Sequence, residues 1–144
     1  MPKAYHALID GAVFMGAAVD VQEAVEREQI DLVVDLRSES TGCVASSPGL
    51  RWIQVPLGDN SPTAESDLYR QAIDTVIAAY QAGQKVIFHC AMGQGRTGTV
   101  AAGILLDLGH ATDVDDAAKK AKLIRSVISL QPVQKRALEQ LYTR

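Results

Sequence analysis

Short runs of apolar residues at three places along the chain predict β-strands. Ile30–Leu36 and Val86–Phe88 are mainly aliphatic and β-branched, as expected for strands that are buried on both faces of a sheet. Arg51–Leu57 instead places every second residue on an apolar face, which predicts a half-exposed strand. Because Pro56 has no backbone N–H to donate, it favours the end of this strand or a position at the edge of the sheet.

Apolar residues recur every three or four positions in five longer segments, which predicts amphipathic helices. These segments are Val21–Gln29, Ser66–Gln81, Thr97–Leu108, 113–125 and 132–142. Strands that alternate with helices predict an α/β fold, here with a central, mostly parallel sheet of about four to five strands flanked by helices. Functional sites in such folds lie beyond the carboxyl ends of the strands, so the segment after Phe88 is the first candidate.

The length and composition predict a single globular domain spanning residues 1–144. Hydrophobic residues make up 47% of the chain and charged residues 22%, which excludes a disordered or fibrous protein. No apolar run approaches the roughly 20 residues that cross a bilayer, and the first residues lack the apolar stretch of a signal peptide. We therefore expect a cytoplasmic protein without a membrane partner. Two cysteines, Cys43 and Cys90, are too few for a disulfide framework.

Charge is distributed unevenly along the chain, whose formal net charge is −3. Residues 1–111 carry 7 basic and 13 acidic side chains, whereas residues 112–144 carry 7 basic and 4 acidic ones. In the basic part, Lys119, Lys120 and Lys122 alternate with alanines, which is typical of a solvated helix face. Because no basic excess extends over the whole domain, we expect no nucleic-acid partner.

The segment after Phe88 combines a cysteine, an arginine and several glycines in the sequence HCAMGQGRTGT, residues 89–99. Glycines let such a loop curl so that its backbone N–H groups point inward and bind a tetrahedral oxyanion. The helix that begins near Arg96 adds the positive end of its dipole, and the guanidinium can hold two phosphoryl oxygens. In this environment the pKa of Cys90 is expected to fall from about 8.5 into the range of roughly 3.5–7.5, which produces a nucleophilic thiolate.

Two nucleotide-binding motifs fit this segment less well than an oxyanion-binding loop does. Gly93, Gly95 and Gly98 have the spacing of a dinucleotide-binding fingerprint, but the residues after Gly98 are too few and too helical for the βαβαβ unit that it opens. That fingerprint also has no use for Cys90 or Arg96. The chain contains no Gly-Lys-Ser/Thr sequence, which excludes the common nucleoside triphosphate motif.

The sequence HCAMGQGRTG resembles the His-Cys-x5-Arg-Ser/Thr signature of the cysteine-based protein tyrosine phosphatases, and the short chain is similar to their compact dual-specificity members. The resemblance implies hydrolysis of phosphomonoesters through a cysteinyl-phosphate intermediate, without a metal or another cofactor. It implies that Cys90 is the nucleophile, Arg96 the phosphate clamp, Thr97 a hydrogen-bond donor to the sulfur and His89 a residue that holds the loop. The phosphate would be cradled by the backbone amides of Ala91, Met92, Gly93, Gln94, Gly95 and Arg96.

Such a reaction needs a carboxyl group that protonates the leaving oxygen, and Asp59 is the best candidate. It directly follows the predicted strand Arg51–Leu57, and the resemblance implies an acid at a comparable distance before the cysteine. The alternative is a turn residue, because Asp, Asn and Gly are frequent in turns. Asp35 ends a buried strand beside Arg37, so an ion pair or a turn is expected for it rather than proton transfer.

The second step needs a positioned water molecule. By resemblance, a glutamine from the last helical region would hold it, and Gln131 and Gln134 fall near that position. A solvated helix face is an equal alternative for both glutamines. Arg125 resembles an arginine that often precedes this region, for which a structural role is expected.

The loop positions Ala91, Met92 and Gln94 carry no charge, whereas relatives that act on lipid or inositol phosphates tend to have lysines there. We therefore expect a singly phosphorylated protein or peptide as the substrate. The alternative is that basic residues of other loops, such as Arg37 or Arg51, supply the missing charge. Two other functions remain open: a phosphate-binding pseudophosphatase, and a rhodanese-like sulfur transferase, which the sequence VVDLR at residues 33–37 suggests.

Overall fold

The computed structural model describes residues 4–58 and 65–142. Its strands and helices are interspersed along the chain, and the last three elements are helices. In chain order the elements are β1 (His6–Ile9), β2 (Val13–Ala17), α1 (Val21–Glu28), β3 (Leu32–Asp35), β4 (Arg51–Gln54), α2 (Glu65–Gln81), β5 (Val86–Cys90), α3 (Gly95–Asp107), α4 (Val114–Ile124) and α5 (Pro132–Tyr142).

The described strands form one five-stranded sheet in the order β1-β2-β5-β3-β4. β1 pairs antiparallel with β2, and the other neighbours are parallel. The register aligns Ala17 with Cys90 and Asp35 with His89, so the carboxyl ends of β2, β5 and β3 lie side by side. The expected α/β fold with a mostly parallel sheet is confirmed, and this shared edge is where the candidate loop begins.

Helices cover both faces of the sheet because its central strands are apolar on both sides. On one face, Val21, Ala24 and Val25 of α1 pack in a cluster with residues of β2, β3 and β5. On the other face, α2, α3, α4 and α5 contribute to the larger core cluster, which also contains Cys90. Cys90, the candidate nucleophile, is therefore the last residue of a buried strand and packs on the face of the sheet that α2, α3, α4 and α5 cover.

The first two strands were not expected from the apolar pattern. β1 has four residues and β2 has five, and β2 contains only one β-branched residue together with Gly16, which weakens a strand. All five residues of β2 are nevertheless buried, because β2 pairs along its whole length with β5. β4 lies at the edge of the sheet and ends at Gln54, two residues before Pro56, in agreement with the constraint that proline imposes.

The five predicted helices are all present. The largest difference is at α3, which begins at Gly95 rather than at Thr97. The helical turn therefore starts inside the glycine-containing loop, immediately before Arg96. Among the residues described, no helix combines the length and apolarity that a membrane crossing requires.

Candidate active site

The loop between β5 and α3 has a tight backbone curve at Gly93. Its φ is 69°, in the left-handed region where glycine is favoured. A Cβ atom at this position would lie 2.8 Å from the backbone of Gly16 and 2.6 Å from the guanidinium of Arg125. Only glycine fits these two constraints, so the sequence at this position is dictated by the curvature of the loop.

The thiol of Cys90 lies at the base of this loop and is 3% exposed. The hydroxyl of Thr97 donates a hydrogen bond to its sulfur at 3.0 Å. Burial by itself raises the pKa of this thiol, but hydrogen bonds from Thr97 and from the backbone of Gly93 and Gln94 outweigh burial and lower the pKa below its ordinary value. The arrangement therefore stabilises a thiolate.

The guanidinium of Arg96 is fixed by groups from two other strand ends. Its Nη1 donates to the carbonyl oxygen of Leu57 at 2.9 Å. Nη1 and Nη2 also donate to the two carboxylate oxygens of Glu39 at 2.9 and 3.0 Å. These contacts use the end of the guanidinium fork. Within residues 4–58 and 65–142, no acceptor bonds Nε, so the side of the fork formed by Nε and Nη2 is the part that can receive an oxyanion.

Glu39 is a site residue that the sequence analysis did not identify. Its hydrogen bonds to Arg96 lower the pKa of its carboxyl group to about 2, although partial burial opposes this shift. The carboxylate is therefore ionised at every pH at which the protein is expected to work. A signal was present, since Glu39 follows the end of β3 by four residues, and parallel strands end at the same edge of a sheet.

His89 and Asp35 form a buried pair behind the loop. Nδ1 of His89 lies 3.2 Å from the carbonyl oxygen of Cys90, and Nε2 lies 3.8 Å from a carboxylate oxygen of Asp35. Burial lowers the pKa of His89, while the charge of Asp35 acts in the opposite direction. These contacts fit a residue that orients the end of β5 rather than one that transfers protons to a substrate.

Asp35 is 0% exposed and its carboxylate is fully occupied by neighbours. Arg37 donates to both of its oxygens at 2.9 and 3.0 Å, and Nε1 of Trp52 donates to one of them at 3.2 Å. Burial raises the pKa of this carboxyl group, but the hydrogen bonds from Arg37 and Ser40 dominate and lower it. The ion pair expected for Asp35 is present, and an ionised, buried carboxylate is unsuited to donate a proton.

Arg125 supports the outer side of the loop. It follows α4 directly and is 5% exposed. Its Nε donates to the carbonyl oxygen of Gly93 at 2.9 Å, and its Nη1 donates to the carbonyl oxygen of Ala4. Because these carbonyls belong to the loop and to the start of the described chain, Arg125 ties the two together. This agrees with the structural role expected from the sequence.

The two candidate glutamines differ in their surroundings. Gln131 is exposed, whereas Gln134 is buried and accepts a hydrogen bond from the backbone N–H of Gln131 at 2.8 Å. A Cβ atom at Gly95 would lie 2.9 Å from the side-chain nitrogen of Gln134. The structure therefore brings Gln134, and not Gln131, against the start of α3.

The candidate acid Asp59 lies outside the described residues. The described chain before it does reach the site, because the carbonyl oxygen of Leu57 accepts the hydrogen bond from Arg96. A Cβ atom at Gly58 would lie 3.9 Å from Nη1 of Arg96. The residue directly before Asp59 is therefore a neighbour of Arg96.

The side chains of the loop itself carry no charge. Met92 is 65% exposed, Gln94 is exposed and Ala91 is half-buried. Arg37 is paired with Asp35. Arg51 lies at the amino end of β4, whereas the candidate site lies at the carboxyl ends of the strands. Neither arginine therefore adds an available positive charge to the site. In the described part of the chain, no group of His, Cys, Asp and Glu residues has the arrangement of a metal site.

Comparisons with known proteins agree with this geometry. The family model described as "Dual specificity phosphatase, catalytic domain" matches residues 13–144. No curated protein sequence matches the chain.

Several solved structures share the fold at low sequence identity. A mouse putative dual specificity phosphatase complexed with zinc tungstate is 21% identical, with a TM-score of 0.79, and the match covers 98% of this chain and 89% of that one. PTPMT1 in complex with PI(5)P is 20% identical, with a TM-score of 0.76 and coverage of 95% and 93%. The human tyrosine phosphatase-like serine/threonine/tyrosine-interacting protein is 13% identical, with a TM-score of 0.79 and coverage of 97% and 96%.

The family match covers nearly the whole chain, and it includes the loop with Cys90 and Arg96 and the strands that position it. The chain therefore belongs to the dual specificity phosphatase family, within the cysteine-based protein tyrosine phosphatase superfamily.

Proposed function

We propose that residues 1–144 form one catalytic domain that hydrolyses phosphotyrosine and phosphoserine or phosphothreonine in proteins, without a metal. The observation that carries this proposal is the buried Cys90 thiol, which is hydrogen-bonded by Thr97 at 3.0 Å at the base of the loop that ends in Arg96. A stabilised thiolate that interacts electrostatically with the guanidinium of the same loop is suited to attack a bound phosphoryl group.

In the first step, the thiolate of Cys90 attacks phosphorus and the bond to the leaving oxygen breaks. The side of the Arg96 fork and the backbone amides of residues 91–96 stabilise the three equatorial oxygens. Asp59 supplies the proton that the leaving alkoxide or phenoxide accepts. The product is a cysteinyl phosphate and the dephosphorylated residue.

In the second step, a water molecule attacks phosphorus and Cys90 departs as a thiolate. Asp59, ionised after the first step, accepts the proton of the water. The hydroxyl of Thr97 bonds the sulfur directly, so it stabilises the charge that returns to the thiolate. His89 and Asp35 keep the end of β5 in place, and inorganic phosphate leaves.

The uncharged loop supports a singly phosphorylated protein substrate over a lipid or inositol phosphate. Relatives that act on such headgroups tend to have lysines in the loop itself, where Ala91, Met92 and Gln94 are uncharged, and the two arginines considered as substitutes are paired or distant. The PI(5)P bound to PTPMT1 is a ligand of that protein, at 20% identity. We infer that the pocket of this chain accepts both kinds of phosphoresidue in proteins.

This function is tested by assaying one panel of substrates in EDTA. We expect release of phosphate from p-nitrophenyl phosphate, a phosphotyrosine peptide and a phosphothreonine peptide, and kcat/KM for PI(5)P lower by at least about tenfold. Binding of the peptides without turnover would instead indicate a pseudophosphatase. Turnover of thiosulfate without phosphate release would indicate the sulfur transferase.

Replacing Asp59 with asparagine is expected to lower kcat for a phosphothreonine peptide by roughly 10²-fold, because general acid catalysis contributes about 10²–10⁴-fold and an alkoxide is a poor leaving group. The loss should be smaller for p-nitrophenyl phosphate, whose leaving group is far less basic. The measurement is kcat at about pH 6 for both substrates. Asp67→Asn, in the first turn of α2, is the matched control. A kcat for the peptide within about twofold of the unmodified protein would assign the acid elsewhere.

A further inference from the structure

A cleft of about 430 Å³ lies between α4 and α5, next to the candidate active site but separate from its loop. Lys119 and Lys122 of α4 and Lys135 of α5 line it, together with Asp115 and Ser129. We call it the lysine cleft. Three ammonium groups face one carboxylate there, so the lining carries a positive charge although the whole chain has a net charge of −3.

The lysines of α4 fall into two groups. Lys120 lies outside the cleft, and its ammonium group is bonded to Asp116 at 3.0 Å and to the carbonyl oxygen of His110 at 2.8 Å. Lys119 and Lys122 point to the cleft, and no carboxylate within the described ranges forms an ion pair with either. Lys119 and Lys122 are exposed, as the solvated helix face predicted from the alternating lysines requires, and they concentrate unpaired charge at one place, whereas Lys120 is partly buried and paired.

The third lysine is only weakly engaged. Nζ of Lys135 lies 3.5 Å from a carboxylate oxygen of Asp115, and the Asp115 side chain is 87% exposed. An exposed pair of this length contributes little free energy and is readily exchanged for another anion. All three ammonium groups are therefore available to a ligand.

The wall of the cleft is continuous with the candidate active site. The backbone N–H of Ser129 points to the carbonyl oxygen of Gln94 in the loop at 3.4 Å. Ile128 and Leu130, on either side, pack against the first turn of α3 so closely that a Cβ atom at Gly98 would lie 2.5 and 3.1 Å from them. A substrate whose phosphate lies in the loop therefore has the lysine cleft beside it.

We propose that the lysine cleft binds an anionic side chain of the phosphoprotein substrate, a carboxylate or a second phosphate, located near the phosphoresidue in the sequence of that substrate. This inference rests on the proposed phosphatase function and adds a determinant of its specificity. The lysines supply the charge, and the partly exposed aliphatic side chains of Leu130 and Ala118 suit the methylene stem of a glutamate.

The charge distribution favours a short acidic segment over a membrane or a nucleic acid. Residues 1–111 carry 13 acidic and 7 basic side chains, so an extended polyanion would be repelled beyond the cleft. Membranes and nucleic acids are bound by broad basic surfaces or stripes, whereas the lysine cleft is lined by three basic side chains.

The test measures binding of fluorescent phosphotyrosine peptides to the Cys90→Ser protein by anisotropy. Each peptide carries one glutamate at a different distance from the phosphotyrosine, and its partner peptide carries glutamine there. We expect at least one position at which glutamate lowers Kd by about three- to tenfold at an ionic strength of about 0.02 M, and a loss of this preference at about 0.5 M. The same series with phosphoserine in place of glutamate distinguishes a second phosphate from a carboxylate.

The decisive variant is Lys119→Gln/Lys122→Gln, which should abolish the preference. The control Lys120→Gln/Arg136→Gln changes the net charge by the same amount. Lys120 lies on α4 and Arg136 on α5, both outside the cleft, so this variant should retain the preference. Equal losses in both variants, or no preference in the parent protein, would refute the proposal. So would cleft-dependent binding of phosphatidylcholine vesicles containing phosphatidylserine without any peptide preference. Turnover of p-nitrophenyl phosphate, measured with Cys90 present, should be unchanged in both variants; its absence from the parent protein would refute the catalytic proposal alone.

Discussion

Replacing Cys90 with serine is expected to lower kcat for p-nitrophenyl phosphate by about 10³-fold or more, since the nucleophile itself is removed. The hydrogen bonds of Thr97 and of the loop amides stabilise an anion on sulfur and lower the pKa of Cys90. The hydroxyl of serine ionises at a far higher pH, and none of the described groups is placed to act as its base. The measurement is release of p-nitrophenolate in EDTA across about pH 5–8.

Cys43→Ser is the matched control, because Cys43 is the second of the two cysteines and packs in the cluster on the α1 face of the sheet. It should retain full activity. In that variant, the rate of alkylation of Cys90 by iodoacetate, measured as a function of pH, should give a pKa below the ordinary thiol value of about 8.5. Retention by Cys90→Ser of more than about a tenth of the parent kcat would exclude Cys90 as the nucleophile.

Replacing Arg96 with lysine is expected to lower kcat/KM by roughly 10²–10³-fold, the usual cost of losing a donor to a developing oxyanion. Lysine keeps the positive charge but has no fork, so it cannot bond two equatorial oxygens while it also bonds Glu39 and the carbonyl oxygen of Leu57. The measurement is kcat/KM for p-nitrophenyl phosphate together with the Kd for inorganic phosphate. An activity within about threefold of the parent protein would show that a point charge suffices.

Glu39→Gln tests how much the orientation of the Arg96 guanidinium contributes to activity, because the guanidinium itself is still present. The variant retains Arg96 and loses the anionic partner of its Nη1 and Nη2 atoms, so we expect a smaller loss, of about tenfold at most. Because the pKa of Glu39 is about 2, the carboxylate is ionised throughout the assay range and the loss should not vary with pH. An increase in activity would instead mean that Glu39 restrains the arginine.

The local chemistry of the loop was predictable because it depends on neighbours in the sequence. Cys90, Arg96 and Thr97 lie within eight consecutive residues between a buried strand and a helix. Their spacing alone brings the thiol, the hydroxyl and the guanidinium to one turn. The helices were predictable for the same reason, since a period of three to four residues is a local property.

The strands β1 and β2 were not predictable in this way. The sequence of β2, VFMGA, has one β-branched residue and a glycine, and it becomes a strand because it pairs with β5 over its whole length. Strand propensity depends on such partners more than on the residues themselves. Glu39 was missed for a related reason, because its contact with Arg96 depends on which strand ends are neighbours.

The amino-acid sequence by itself determined the α/β class, the five helices and the cysteine, arginine and glycines of the loop between β5 and α3. The tertiary structure alone decided which groups surround that loop: Glu39 and the Leu57 carbonyl on Arg96, Arg125 behind Gly93, and the unpaired lysines beside Ser129. The physical reason is the range of the interactions. Backbone curvature and helix periodicity act over a few residues, whereas the pairing of charges joins residues that are distant in the chain and become neighbours only in the folded protein.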